Sequence, residues 1–304
     1  MAVGADHEFG GQHTEIKLEL VEKYLKAYTA ALRGKFSELW YIDAFAGTGS
    51  RTVRVDARGG DLFEAPAPAR TETRRGSARI ALDIAPGFDR FVFMDQSHEH
   101  CEALEALREV YAGRNITVLN GDANRLIQDE IKWDGWKRTR AVMFLDPYGM
   151  EVEWSTLRAI ADTKAIDVWY LFPLSGLYRQ AARNIGAVDE IKRRALTRML
   201  GTSDWENELY STVQTSNDLL ESLEKPETRQ RNADVAGLEA YVGKRLKEIF
   251  PLVLDPFPLP PIQKPQRFSL FFAISNPSDA AVRLAKRFGD HILSSGMASH
   301  VRSR

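Results

Sequence analysis

A single cysteine, Cys101, stands in 304 residues, which excludes an internal disulfide and a cysteine-rich metal site. Long hydrophobic runs are missing as well: no stretch approaches the roughly 20 apolar residues of a membrane span. The amino terminus, with Asp6, His7 and Glu8, has neither the charged nor the apolar region of a secretory signal, so a cytoplasmic protein is expected. Charge of one sign is not in excess. With 41 basic and 42 acidic residues the net charge is −1, and no global basic field marks a nucleic-acid binder. No internal repeat breaks the chain. What is present, 44% hydrophobic and 27% charged residues, is enough to bury a sizeable core in one elaborated domain or two small ones.

That core has a readable order. Apolar runs at 39–45, 91–95, 116–119, 141–145 and 166–172 are separated by stretches with helical spacing. Thr14 is placed to cap a first helix whose Ile16, Leu20, Tyr24 and Tyr28 fall on one side. Ser77 and Ser97 open two more. On the helix after Ser97, Cys101, Leu104, Leu107 and Val110 repeat at three-residue steps, which makes Cys101 a core thiol. Strands alternating with helices predict an α/β parallel sheet with crossover helices. From about 175 to 250 the pattern turns helical and charged, with helices expected at 188–200, 206–224 and 235–250; strands return at 252–254 and 267–275, before a last helix. The division is therefore a sheet domain of 13–174 and 251–295 with a helical insertion or cap at 175–250.

The stretch Tyr41-Ile42-Asp43-Ala44-Phe45-Ala46-Gly47-Thr48-Gly49-Ser50 organises the rest. An apolar run ends in Asp43, and two glycines follow at a one-residue spacing, which lets the backbone turn sharply and approach a ligand. The three-glycine dinucleotide fingerprint would need glycine at Phe45 and Thr52, so a nicotinamide enzyme is disfavoured. An ordinary tight turn remains the plain alternative. The pattern D-x-F-x-G-x-G resembles motif I of class I S-adenosylmethionine-dependent methyltransferases, which makes Asp43, Phe45, Gly47 and Gly49 candidate cofactor contacts.

Four strand ends or the turns after them carry an acid: Asp43, Asp95, Asp122 and Asp146. In a parallel sheet these ends share one edge. A carboxylate can accept two hydrogen bonds, so Asp95 suits a pair of ribose hydroxyls, and Asp122 suits the exocyclic amine of adenine. Asp146-Pro147-Tyr148-Gly149 stands where amino-methyltransferases carry [D/N]-P-P-[Y/F/W], a motif that holds the target amine and stacks a flipped base. One proline is missing here, and Tyr148 comes one residue early; a Pro-Tyr-Gly turn that packs a loop is the alternative. Lys17, near the first strand in sequence, is a candidate contact on the acceptor side.

Residues 51–75 read as an inserted loop at the mouth of the site, a lid over cofactor or polyanionic substrate. Arg51, Arg54, Arg58, Arg70, Arg74, Arg75 and Arg79 make it locally basic, and Lys192, Arg193, Arg194 and Arg198 form a second cluster. Each cluster is either a solvated face or a phosphate-contacting surface.

His13-Thr14-Glu15-Ile16-Lys17 with Tyr24-Leu25, the motif I stretch, Gly76-Ser77, Phe144-Leu145-Asp146-Pro147-Tyr148-Gly149 and Asp167-Val168-Trp169-Tyr170-Leu171-Phe172-Pro173 together resemble the three-Cys-motif partner protein family over about 13–295. The resemblance implies a bacterial protein with a Rossmann-like class I methyltransferase fold, S-adenosylmethionine as cofactor, and a partner carrying a three-cysteine motif. It implies no particular substrate. Two functions stay open: a methyltransferase acting on an amino group, with a nucleic-acid base as the acceptor considered, and a catalytically inert, partner-binding component of a two-protein system.

Overall fold

A computed structural model of the chain describes residues 12–55, 70–213, 228–261 and 266–301. The order of elements is α1 (Gln12–Leu32), β1 (Glu38–Asp43), β2 (Ser50–Val55), β3 (Arg70–Arg75), α2 (Ser77–Leu82), β4 (Arg90–Asp95), α3 (His98–Val110), β5 (Ile116–Asn120) and α4 (Ala123–Glu130). A 3-10 turn at Asp134–Lys137 leads to β6 (Thr139–Leu145), α5 (Trp154–Asp162), β7 (Ile166–Phe172) and α6 (Leu174–Gln180). After a second 3-10 turn, Ile185–Ala187, come α7 (Glu190–Leu200), α8 (Trp205–Leu209), β8 (Tyr210–Val213), β9 (Thr228–Arg231), α9 (Val235–Lys247), β10 (Leu252–Val253), β11 (Phe257–Leu259), β12 (Phe268–Ile274) and α10 (Asp279–Val301). None of the described helices is long and apolar enough to cross a membrane.

The chain divides into two compact units, one of residues 1–123, 138–144 and 288–304, the other of 124–137 and 145–287. In the first, β4 and β6 both pair with β1 in parallel, and β5 pairs in parallel with β4. Numbered by their order along the chain, these four parallel strands lie 3-2-1-4, the order of a doubly wound sheet, with the topological switch point between β1 and β6. Both faces are covered, so Leu39, Trp40, Tyr41 and Ile42 are all buried, as are Phe91 to Met94 and Ala141 to Phe144. Ile16, Leu20, Tyr24 and Tyr28 of α1 are buried as their spacing predicts.

In the second unit β12 runs antiparallel to β7, and β10 and β11 run antiparallel to β12. Trp169 and Phe272 meet across this pairing with ring centroids 4.8 Å apart. The helices of 175–250 belong to this same unit with β7 and β12, so packing groups them differently from the sequence division. Gly201 ends α7 in the left-handed conformation (φ 72°) against Trp154, and Arg245 covers that indole at 4.7 Å while donating to the Leu200 carbonyl.

Several local expectations are corrected. α1 starts at Gln12, so Thr14 lies inside its first turn and does not cap it, and Gly76, not Ser77, is the N-cap of α2. Ser97 does cap α3, accepting from the His100 amide at 3.4 Å. Val110 is 64% exposed while Cys101, Leu104 and Leu107 are buried, because three steps of three residues turn a helix by about 180° from its starting face. The helix expected over 206–224 stops at Leu209. Tyr210 turns the chain into a ribbon with β9, its hydroxyl donating to the Ala182 carbonyl at 2.6 Å. The helical insertion thus contains strands; 214–227 lie outside the described residues.

Residues 51–75 are likewise not simply a loop. Ser50–Val55 and Arg70–Arg75 form an antiparallel ribbon, Arg51 opposite Arg74 and Thr52 opposite Thr73. The β-branched residues of both strands favour that extended pairing. The tip expected to act as a lid, 56–69 with Arg58, Pro66 and Pro68, lies outside the described residues.

Candidate functional site

Buried on both faces, β1 delivers its last residue to the switch-point edge, where the chain must turn. Asp43 is fully buried. Its Oδ1 accepts from the Phe45 amide and its Oδ2 from the Tyr41 hydroxyl, both at 3.3 Å, so the carboxylate anchors the start of the loop. Phe45 itself is half-buried. The Ala44 amide reaches the Phe144 carbonyl at 3.2 Å and the Ala46 amide the Met94 carbonyl at 3.0 Å, tying the loop to the strands on either side.

Gly47 (φ 59°) and Gly49 (φ 71°) are both left-handed, a backbone that side chains resist. They do different work. A Cβ on Gly49 would lie 2.9 Å from Leu107 Cδ1 and 3.5 Å from Ala78 and Leu104, so this glycine serves close packing of the loop on α2 and α3, where close approach to a ligand is the sequence expectation. The Gly47 amide instead donates to Asp95 Oδ2 at 3.0 Å.

Asp95, at the end of β4, is buried and is the hub of the site. Oδ1 accepts from the Ser97 amide at 2.8 Å and from His100 Nδ1 at 3.1 Å; a carboxylate only accepts, so that imidazole nitrogen carries its proton. Its backbone carbonyl takes the Gly121 amide at 3.1 Å, Asn120 Nδ2 at 3.1 Å and Cys101 Sγ at 3.4 Å. The turn after β5 is thereby fastened to β4, with Gly121 at φ 153°. Asp122, the next residue, has an exposed side chain. Cys101 is a buried thiol whose pKa burial pushes up, in keeping with a core role.

The structure therefore brings Gly47, Asp95 and the turn before Asp122 together through hydrogen bonds, with Asp43 beneath the loop. Lys17 lies in the body of α1, away from its start, and is only 7% exposed. In the other unit, Asp146 follows directly on β6 and is half-buried, Pro147 is buried, and Tyr148 is 59% exposed. The chain after them is held by Asn124: its Oδ1 accepts from the Glu153 amide and the Thr156 hydroxyl, both at 2.9 Å, and its Nδ2 donates to the Glu151 carbonyl at 2.9 Å. Sequence reading missed both His100 and Asn124. Each earns its position only through a partner brought near by folding, and neither belongs to a motif.

Among the described residues the basic clusters are largely paired. Arg74 meets Glu15 and Glu72, Arg75 meets Asp83 at 2.8 Å and Glu22 at 3.4 Å, and Arg51 lies 3.8 Å from Glu15. Lys192, Arg193, Arg194 and Arg198 pair with Asp189, Glu206, Glu190 and Glu153. Hydrogen bonds to Asp83 and Glu206 raise the pKa values of Arg75 and Arg193 respectively. Among the described residues, no group of three or more His, Cys, Asp or Glu side chains could hold a metal ion.

A parallel sheet in the order 3-2-1-4, with a glycine loop at the end of its first strand and an acid at the end of its second, defines a doubly wound, Rossmann-like α/β protein. No protein-family model and no curated protein matches the chain. Among solved structures it is similar to a protein of Legionella pneumophila at 12% identity, with 92% of this chain and 94% of that one covered and a TM-score of 0.49. It is similar to Trm1 from Pyrococcus horikoshii, solved with S-adenosyl-L-methionine, at 14% identity, 96% and 61% coverage and a TM-score of 0.43. It is also similar to a spermidine synthase solved with the transition-state analogue AdoDATO, at 9% identity, 94% and 71% coverage and a TM-score of 0.41.

Proposed function

We propose that this protein is an S-adenosylmethionine-dependent methyltransferase that modifies an amino group, with a nucleic-acid base as the acceptor. One observation carries the reading: the Gly47 amide and the Asp95 carboxylate meet at 3.0 Å at the carboxyl edge of the sheet. A left-handed glycine loop closed onto a buried acid makes a cradle for a ligand with a vicinal diol beside backbone amides. The donor set fits the cofactor. Asp95 keeps acceptor capacity, Asp122 is an exposed acceptor in the adjoining turn, and Gly47 has the left-handed backbone, φ 59°, that side chains resist. The missing glycines at Phe45 and Thr52 speak against a dinucleotide in the same place.

When bound, the cofactor supplies a methyl group already activated by its sulfonium. The protein's own share is then mainly positioning. In this reading the Asp146 carboxylate and the Pro147 carbonyl accept hydrogen bonds from the target amine and orient its lone pair, and Tyr148 lines the acceptor side. The three-Cys-motif resemblance adds a partner protein that completes or presents the substrate. Exposure of Tyr148 and the missing second proline favour one other reading, an inert partner-binding component that keeps the pocket as scaffold.

The two are separated by one pair of measurements. Calorimetry with S-adenosylmethionine should give binding in the low-micromolar to submillimolar range, with Asp146→Ala within about threefold of wild type. Transfer of labelled methyl to RNA, DNA or protein extract, with and without the partner, should fall on the order of 100-fold in Asp146→Ala, as for loss of a positioning contact. Equal labelling by both proteins would remove Asp146 from the mechanism. Cofactor binding with no labelling under any condition would establish the scaffold.

A further inference from the structure

The Asp95 carboxylate offers four lone-pair positions, and the structure fills three. Ser97 N at 2.8 Å and His100 Nδ1 at 3.1 Å share Oδ1, and Gly47 N at 3.0 Å takes one place on Oδ2. A vicinal diol needs two positions and finds one. The three donors differ in what it takes to remove them. Ser97 N belongs to the turn that opens α3, where Ser97 also caps the helix, and Gly47 N is fixed by the loop that bonds to Phe144, Met94 and Asp43. His100 alone donates through a side chain. It stands in the first turn of α3 with 31% of that side chain exposed, so rotation about its own bonds vacates the position with no backbone movement.

We infer that His100 is a displaceable donor that occupies one of the two acceptor positions a ribose diol requires, and that it sets the affinity and diol selectivity of the nucleoside site. The identity of the diol as the cofactor's ribose rests on the function proposed above. In the free protein His100 satisfies a buried charge that would otherwise be short of partners. On binding, a diol ligand exchanges the His100 bond for a hydroxyl bond, and the net gain from its second hydroxyl is small. Take the imidazole away, and the second hydroxyl contributes in full.

The test uses the full chain, with S-adenosylhomocysteine and its 2′-deoxy analogue as probes in calorimetry. Wild type should favour the diol ligand by no more than about threefold, and His100→Ala should raise that preference to about tenfold or more while binding S-adenosylhomocysteine several-fold tighter, the scale of one hydrogen bond to a charged group. His100→Gln keeps a side-chain donor within reach and should return toward wild-type selectivity. An unchanged or reduced preference in His100→Ala would overturn the inference while leaving the cofactor reading intact. Should His100→Ala fail to fold, wild-type selectivity decides alone: a preference of tenfold or more for the diol would show that nothing competes for Asp95, and near-equality would support the inference. Absence of binding by wild type to either probe would overturn the cofactor reading and the inference with it.

Discussion

Tyr170 and Tyr241 each bury a hydroxyl that has no hydrogen-bond partner among the described residues, which is a local cost. Burial pushes both phenols up, Tyr241 to about 12 from an ordinary 10, with the charge of Glu208 the next contribution there. The sign follows. The folded chain holds these protons more tightly than the unfolded one, so both contributions are intact below pH 10, and that of Tyr241 is lost as pH rises through about 12. Tyr241→Phe should flatten the alkaline loss of stability across that window, read by urea titrations at successive pH values. Tyr170→Phe near neutral pH should leave stability unchanged or raise it by about 1 kcal/mol, since it removes an unsatisfied polar atom and little volume. A midpoint lowered by more than that in either variant would mean the hydroxyl has a partner in solution.

Element ends show how strain and packing separate. Gly201, after α7, and Gly34, after α1, have nearly the same left-handed backbone, φ 72° and 78°. Around Gly34 nothing lies within 4 Å of an added Cβ, whereas at Gly201 that atom would stand 2.0 Å from Trp154 Cδ1. Gly34→Ala should therefore cost only the backbone term, about 1–2 kcal/mol. Gly201→Ala carries the same term plus displacement of an indole held beneath Arg245, and should cost at least about 3 kcal/mol in denaturant unfolding. Equal costs would show that Trp154 gives way freely. The end of the helix at 200 was legible in the sequence; the contact of Gly201 with Trp154, which lies 47 residues earlier, was not.

For the molecule as a whole, the near balance of 41 basic and 42 acidic residues means that recognition depends on local groups rather than long-range attraction. Binding to the native state alone stabilises by mass action, about 2.7 kcal/mol at 100 times the dissociation constant. S-adenosylmethionine at that excess should raise the apparent melting temperature by several degrees, and NAD at equal concentration should not. Gly47→Val puts a β-branched residue at φ 59° and a side chain beside Asp95, and should abolish the rise. A rise of equal size with NAD, or one that survives Gly47→Val, would be incompatible with the proposed cradle.

By itself the sequence determined the α/β class, the strands of the parallel sheet and the acids at their ends, because burial on both faces demands unbroken apolar runs and because turns need glycine and polar residues locally. It also determined the buried face of α1, through spacing alone. Tertiary structure decided what spacing cannot carry. A three-residue step drifts around a helix, so Val110 left the core that Cys101 and Leu104 entered. Extended pairing with 228–231 overrode a helical reading of 210–213, since a strand is stabilised by its partner and not by its own composition. At the site, the sequence placed Gly47 and Asp95 at two strand ends, but their 3.0 Å contact and the intrusion of His100 exist only because parallel strands bring residues 48 positions apart to one edge.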